Sequence, residues 1–374
     1  MHIPFCPNPH CRHHMCPQEP DWFIHYGFHR TAAFGLVPRF KCRSCGKTFS
    51  TQTFCIDYYA KKIVDYRDFL TRHSHSESLR ALSRSLQVSC STVLNKFDRL
   101  SRQALALHAS LRPQANTHED VCVDGFVSFD VSQFFPNDIT LSITSSSRFI
   151  LELSHVTRRR SGTMTKAQKA TAARIYPQVH FEPGALSRSF SDILASLARD
   201  RPPSALHPLL LITDEKKEYV QALHRSAVWR DQDADHRVAH IQVNSTLPRC
   251  YANPLFPSNY LDREIRKDQA NHHRETSCFS RNVANAMGRL ICYVVQHNYR
   301  KRYLIKAGVK DRRVHGEVAG IGRDRIEGAL REMFSRRVFL TRIELPPTLE
   351  RIWKKGYVTP LKGGPEYLPA FALG

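Results

Sequence analysis

The chain has 374 residues, with 55 Lys and Arg against 34 Asp and Glu and a formal net charge of +21 at pH 7. Its hydrophobic content of 41% is typical of a folded protein and excludes a disordered one, and its length predicts more than one domain. No apolar run approaches the roughly 18 residues that span a bilayer, and no signal peptide is recognisable, so we expect a cytoplasmic protein with reduced thiols and no membrane partner. The excess of positive charge favours a polyanionic partner, above all nucleic acid.

Residues 1–56 contain two closely spaced cysteine pairs. Cys6 and Cys11 lie in "CPNPHC", and Cys42 and Cys45 lie in "FKCRSCGKTFS". Two such pairs supply the four soft ligands of a tetrahedral zinc ion, so the sequence predicts a zinc-ribbon module with structural Zn²⁺. Four unrelated free thiols are the alternative. Other residues close to the first pair compete for one ligand position, namely His10, His13, His14 and Cys16.

Residues 57–112 have a helical pattern with few breakers. Within "ESLRALSRSLQVSCSTVLNKFDRL" an apolar face of leucines is followed by a short turn and then by a second helix, for which Ser89 is a suitable N-cap. This pattern indicates a helix-turn-helix, although an ordinary helical hairpin shares it. In a DNA-binding helix-turn-helix the outward residues of the second helix contact bases or phosphates, here Ser91, Thr92, Asn95, Lys96 and Arg99.

Residues 118–300 alternate between strand and helix patterns. Three successive β-rich segments are followed by a basic run, a helix, a short apolar strand and further helices. The predicted strands are Val121–Phe129, Asp138–Thr144, Arg148–Val156, Pro208–Asp214 and a short one around "HIQVN". From Leu261 onward the pattern is helical, with an apolar stripe through Phe279, Val283, Met287, Leu290 and Val294.

Two carboxylates fall where sites form in α/β sheets. Asp124 lies in the middle of a predicted strand, where an unpaired charge is costly, and Asp214 ends a buried strand. We expect these two on adjacent strands of one sheet, with Glu264 from a later helix as the third acid. Three such acids can hold two divalent cations about 4 Å apart, and their oxygen ligands suit Mg²⁺, or Mn²⁺ in its place. The alternatives are Glu215 for Asp214, and Asp262 or Glu317 for Glu264.

The order of these features resembles that of bacterial insertion-sequence transposases of the DDE type. The specific similarities are "CPNPHC", "FKCRSCGKTFS", "SLRALSRSLQVSCSTV" and "DREIRKDQANHHRETSCFSRNVANAMGRL". In the last segment Arg274, Thr276, Phe279, Ser280 and Arg281 resemble the family's motif after its catalytic Glu. The resemblance covers most of residues 1–300. It implies a multi-domain α/β protein with a zinc ribbon at 1–56, a helix-turn-helix domain at 57–112, a ribonuclease-H-like mixed-sheet catalytic core at 118–300 and a basic C-terminal region at 301–374.

The resemblance also implies an activity and its partners. The protein would be an enzyme that cuts and joins DNA at terminal inverted repeats, with Asp124, Asp214 and Glu264 as its catalytic Mg²⁺ ligands. Its partner would be double-stranded DNA, both the repeats and the target, bound by a homodimer or higher oligomer associated with the nucleoid. Further DNA contacts are expected from Arg158, Arg159, Arg160 and Arg274. The alternatives are a zinc-ribbon and helix-turn-helix transcription regulator, or an inactive transposase that binds ends without cutting them.

Overall fold

The N-terminal part of the chain is a small antiparallel sheet. A computed structural model describes residues 3–17, 19–116, 118–204, 208–226, 229, 238–272, 279–304 and 310–374. Strands β1 (Phe23–Thr31), β2 (Gly35–Cys42) and β3 (Thr48–Ser50) pair in chain order. Trp22, Phe40 and Phe49 form most of the small core beneath this sheet, together with Cys6, Cys11 and Cys42. The core of this module is therefore small, and cysteines make up a large part of it.

Three helices follow, as the sequence predicts. They are α1 (Tyr66–Ser74), α2 (Leu79–Ser85) and α3 (Cys90–Leu111). Ser78 caps α2 by accepting a hydrogen bond from the Ala81 amide, and Ser89 caps α3 by accepting one from the Thr92 amide. The predicted N-cap at Ser89 is therefore confirmed.

The central sheet is five-stranded and mixed. Its strands are β4 (Val121–Phe129), β5 (Pro136–Thr144), β6 (Ile150–Thr157), β7 (Leu209–Asp214) and β8 (Val238–Val243), in the order β6-β5-β4-β7-β8. Strand β5 is antiparallel to both β4 and β6, whereas β7 is parallel to both β4 and β8. The five predicted strands are confirmed within a few residues at each end.

Further helices lie between and after these strands. They are α4 (Lys166–Ile175), α5 (Ala185–Asp200), α6 (Lys217–Arg225), α7 (Phe256–Asp268) and α8 (Val283–Tyr299). Helix α5 packs on β6 and α6, helix α7 packs on β4 and β5, and α3 packs along α8. Short 3₁₀ turns occur at Thr51–Phe54, Arg112–Gln114, Tyr176–Gln178, Ala270–His272, Leu340–Arg342 and Ala370–Ala372.

The C-terminal region is more regular than the sequence indicates. It forms α9 (His315–Val318), α10 (Arg323–Met333) and α11 (Pro347–Trp353). Ile326, Met333, Leu349, Ile352 and Trp353 are all buried in the main core. Helices α10 and α11 pack on α3, and α9 packs on α8. This packing compensates for the weak periodicity of these short helices, because tertiary burial contributes more to helix stability than propensity does.

One apolar core joins the helices, the central sheet and the C-terminal region. It includes Leu70 of α1, Leu100 of α3, Phe126 of β4, Ile291 of α8 and Trp353 of α11. With these helices and a mixed five-stranded sheet, the molecule is a mixed α/β protein, as predicted.

The N-terminal module contacts the C-terminal region. Phe5 packs edge-on against Phe339, with ring centroids 5.1 Å apart, and the Arg342 guanidinium lies 3.8 Å from the centre of the Phe5 ring. Arg342 also donates a hydrogen bond to the carbonyl of His14. The two ends of the described chain thus pack together.

Candidate active site and metal centre

Four cysteines converge at one end of the N-terminal module. The sulfur atoms of Cys6, Cys11, Cys42 and Cys45 all lie within 4.8 Å of one another. Cys42 ends β2 and Cys45 lies in the following turn, where Gly46 adopts a positive φ of 71° and donates its amide to the Cys42 carbonyl at 3.0 Å. The grouping predicted from the sequence is confirmed, and the cluster can hold a structural metal such as zinc.

The neighbouring histidines have other partners. His14 uses both ring nitrogens, Nδ1 with the Cys6 carbonyl at 2.7 Å and Nε2 with Thr341 Oγ1 at 2.8 Å. His13 stacks on Trp22, with ring centroids 5.8 Å apart. These contacts favour the four-cysteine ligand set over one that includes a histidine.

The electrostatics of Cys45 suit a metal ligand. Burial by itself would raise the pKa of this thiol, but hydrogen bonds from the Asn8 side chain and the Lys47 backbone outweigh burial and lower the pKa to about 7. Zinc binds the thiolate form, so the lowered pKa reduces the cost of deprotonating Cys45 at neutral pH, whereas burial raises the pKa of Cys6 and Cys11, whose protons a bound zinc ion would have to displace.

The surface of helix α3 differs from its prediction at two positions. Val93, Phe97 and Leu100 are buried as expected. Lys96 and Arg99 also face inward, with only 2% and 7% of each residue exposed, so the prediction that both face outward is wrong. Lys96 Nζ lies 2.5 Å from Asp57 Oδ1, and Arg99 donates to the Ile56 carbonyl at 3.0 Å. The segment before α1 covers this side of α3 and supplies both partners.

The remaining predicted contacts of α3 are still accessible. Ser91 and Asn95 are exposed, and Thr92 is half-buried. Asn95 accepts a hydrogen bond from Arg99 Nε at 2.8 Å. The part of α3 that can approach a partner is therefore its first turn and a half, and it is polar and uncharged.

The central sheet brings Asp124 and Asp214 together. Val123 of β4 pairs with Thr213 of the parallel strand β7, so the next residues of both strands, Asp124 and Asp214, are neighbours. Both line a cavity of about 170 Å³ at the carboxyl end of β7. Burial and the nearby Asp214 raise the pKa of Asp124, while the Lys216 ammonium opposes that rise.

Lys216 lies between these carboxylates, and sequence reasoning missed it. Its Nζ is 3.4 Å from Asp124 Oδ1 and 3.3 Å from Asp214 Oδ2. It is also 3.8 Å from Asp138 Oδ2 and 3.1 Å from the Tyr219 hydroxyl. Burial alone would lower the pKa of Lys216, but Tyr219 and the three carboxylates raise it far above its usual value, so the side chain is an ammonium.

Asp138 is the second residue that the sequence reasoning missed. It lies on β5, is fully buried, and has Lys216, Arg158 at 3.5 Å and the Thr140 hydroxyl at 3.4 Å as partners. The signal for it was present, because "DITLSIT" places a carboxylate at the start of a predicted strand next to that of Asp124. A buried carboxylate requires such partners.

The third acid that lines this cavity with Asp124 and Asp214 is Asp262, not Glu264. Glu264, two residues further along α7, lies about 200° around the helix axis and is only 6% exposed. It is paired with Lys301, whose Nζ also lies 2.9 Å from Asp268 Oδ2. The face shared by Glu264 and Asp268 was predicted, but that face is turned away from the cavity.

The other alternative acids are also accounted for. Glu215 is exposed and does not line the cavity. Glu317 accepts a hydrogen bond from the Val314 amide at 2.8 Å and pairs with Arg323 at 2.7 Å, so it caps α9. The remaining lining of the cavity is mostly polar and basic, and it consists of Asn244, Ser245, Arg249, Asn253, Asn259, Arg266 and Lys216 with Gly125, Leu247 and Leu255.

Gly125 makes room for this arrangement. A Cβ atom at this position would lie 2.3 Å from Asp138 Oδ1 and 2.7 Å from Lys216 Nζ. We therefore expect Gly125→Ala to lower the free energy of unfolding by about 1–3 kcal/mol, because a buried ion pair must shift to accommodate the methyl group. Urea denaturation measures this change. Gly322→Ala is the control, since no atom lies within 4 Å of its added Cβ, and equal losses in both variants would contradict the crowding at Gly125.

A basic cavity extends along the same sheet. It has a volume of about 650 Å³ and is lined by Arg158, Arg159 and Arg160 with Phe129 and Phe279. The two phenylalanine rings meet edge to face with centroids 5.5 Å apart. Arg158 connects this cavity to the carboxylates through Asp138. The other predicted DNA contact, Arg274, lies outside the described residues.

Comparison with known proteins assigns the chain to no family. No protein-family model matches it, and no curated protein is similar to it at a significant level. Within the described part of the chain, no helix combines the length and apolarity needed to cross a membrane.

Proposed function

We propose that the protein is a DNA transposase that cuts and joins DNA strands with the help of Mg²⁺. The observation that carries this proposal is the convergence of three acids from distant parts of the chain. Asp124 from the first strand of the central sheet, Asp214 from the end of a parallel strand and Asp262 from a later helix all line one cavity. This is the order expected of a ribonuclease-H-like DDE core, with Asp262 in the place first predicted for Glu264.

The donor set fits a hard divalent cation. The carboxylates of Asp124, Asp214 and Asp262 line the cavity together with the Asn259 side chain, and such oxygen ligands suit Mg²⁺. Asp124, Asp214 and Asp262 would hold the ion. When bound, Mg²⁺ would stabilise the charge that develops on phosphate oxygens during strand cleavage.

The residues around the acids suit a phosphodiester substrate. Arg249 and Arg266 line the cavity, and Arg266 Nη2 lies 3.8 Å from Asp262 Oδ2. Guanidinium groups bind phosphate oxygens in fixed geometry and so orient the scissile strand. The cavity with Arg158, Arg159 and Arg160 would hold the DNA that continues beyond the cleavage point.

The N-terminal half would bind DNA ends. In this proposal the four-cysteine cluster holds zinc in a zinc ribbon, and α2 and α3 form a helix-turn-helix. Arg39 and Lys47 of the N-terminal module line a cavity of about 1020 Å³, and Arg337 of the C-terminal region lines the same cavity. The net charge of +21 supplies the long-range attraction to the duplex.

A cleavage assay tests the function. The substrate is a duplex carrying the inverted repeats that flank the gene, with Mg²⁺ or with a chelator. We expect the wild type to cut only with Mg²⁺, and Asp124→Asn and Asp214→Asn to lose on the order of 10²–10³-fold in rate, since metal-assisted charge stabilisation is worth several kcal/mol. The exposed Asp324→Asn is the control.

The outcomes separate the competing functions. If both active-site variants cut as fast as the wild type, the site assignment is contradicted. If the wild type binds the repeats and never cuts them, a transcription regulator or an inactive transposase is the better interpretation.

A further inference from the structure

The centre of the carboxylate cluster is already occupied by a positive group of the chain itself. Lys216 Nζ is within 3.8 Å of an oxygen from each of Asp124, Asp138 and Asp214. A pair of catalytic cations normally lies about 3.5–4 Å apart between such carboxylates. The ammonium therefore stands within the space that two ions would share.

The fold holds the ammonium there. Lys216 is the residue before the first turn of α6, and its backbone amide donates to Asp214 Oδ1 at 3.1 Å. Its Nζ lies 3.1 Å from the hydroxyl of the fully buried Tyr219 and 5.0 Å from the centre of the Tyr219 ring. The missing side chain of Gly125 opens the gap that lets Lys216 meet Asp138. Three elements thus fix one position for Nζ.

The two sides of the carboxylate cluster have different charged surroundings. On the inner side, Asp138 is fully buried and faces Lys216 and Arg158. On the outer side, Asp124 and Asp214 open into the cavity that Asp262 lines. A second divalent cation on the inner side would have to displace the ammonium or tolerate its repulsion at close range.

We propose that this site binds a single divalent cation, on the cavity side between Asp124, Asp214 and Asp262, and that the ammonium of Lys216 takes the place of a second ion. The inference rests on the metal-binding part of the proposed function. It differs from the two-cation arrangement expected from the sequence. Lys216 would be a positioning residue that orients both carboxylates toward one ion.

Counting bound Mn²⁺ tests this inference. The zinc-loaded full chain is titrated with Mn²⁺, and the free ion is followed by electron paramagnetic resonance. We expect one Mn²⁺ per wild-type chain and two in Lys216→Met, where the pair would also show the spectrum of two exchange-coupled ions. Lys216→Arg keeps the positive charge and should bind one. The exposed neighbour Lys217→Gln should also bind one.

The double variant Asp124→Asn, Asp214→Asn is the blank for this measurement and should bind no Mn²⁺ at this site. Two ions in the wild type, or one in a folded Lys216→Met, would overturn the inference and leave the proposed function standing. No ion in the wild type would contradict the metal site on which both depend. Lys216→Gln, which keeps a polar side chain, gives the same count of two if Lys216→Met does not fold.

Discussion

Asp262→Asn is expected to lower the rate of DNA cleavage by on the order of 10²–10³-fold, while Glu264→Gln leaves the rate unchanged. Asp262 lines the cavity with Asp124 and Asp214, so the substitution would remove a proposed Mg²⁺ ligand and with it several kcal/mol of charge stabilisation. Glu264 lies on the other face of α7, where its partner is Lys301. Single-turnover cleavage at saturating Mg²⁺ measures both rates.

For stability the order of the two variants should be reversed, with Glu264→Gln losing more than Asp262→Asn. Glu264→Gln leaves the ammonium of Lys301, of which only 14% of the side chain is exposed, with one acidic partner instead of two. A buried polar group that loses a partner costs about 1–3 kcal/mol, which urea denaturation detects. Asp262→Asn is expected to change stability less. A folded Glu264→Gln that cannot cleave, beside an active Asp262→Asn, would restore Glu264 as the third acid.

Removing the metal from the four-cysteine cluster is expected to unfold the N-terminal module. The module's own core contains only Ile3, Trp22, Phe40 and Phe49 besides three of the cysteines themselves, so the cysteines are a large part of its interior. Structural zinc contributes about 10–16 kcal/mol to the folding of small zinc-finger peptides. Metal analysis should find one zinc per chain, and a strong chelator should make residues 3–56 sensitive to protease.

Cysteine variants give the matched comparison for that experiment. Cys42→Ser removes a buried ligand and should release the zinc, whereas Cys16→Ser changes an exposed cysteine outside the cluster and should retain it. Full zinc content and protease resistance in Cys42→Ser would show that the cluster is not a metal site.

The sequence predicted the sheet and its acids because their signals are local. Alternation and apolar runs identify strands, and Asp124 and Asp214 are recognisable as charges in or at the end of such runs. The cysteine cluster was predictable for the same reason, since each pair lies within one short segment.

Side-chain direction was harder to predict. The helix pattern correctly placed Glu264 and Asp268 on one face, but nothing in the spacing indicates which face of α7 meets the sheet. Lys96 and Arg99 were misassigned because polar residues are normally exposed, and their partners Asp57 and Ile56 are about forty positions earlier in the chain. Lys216 resembles any charged residue at the start of a helix until Asp138 and Gly125 are brought beside it by sheet pairing.

The contact between the two ends of the described chain has a consequence for biosynthesis. Arg342 and His14 are 328 residues apart, so Arg342 must have left the ribosome before it can pack on Phe5 and bond to His14. At translation rates of about 5–20 residues per second, the nascent module would wait roughly 15–65 s with that ring lacking its C-terminal partners. Early capture of zinc by the cysteines would keep the newly made segment ordered through this interval.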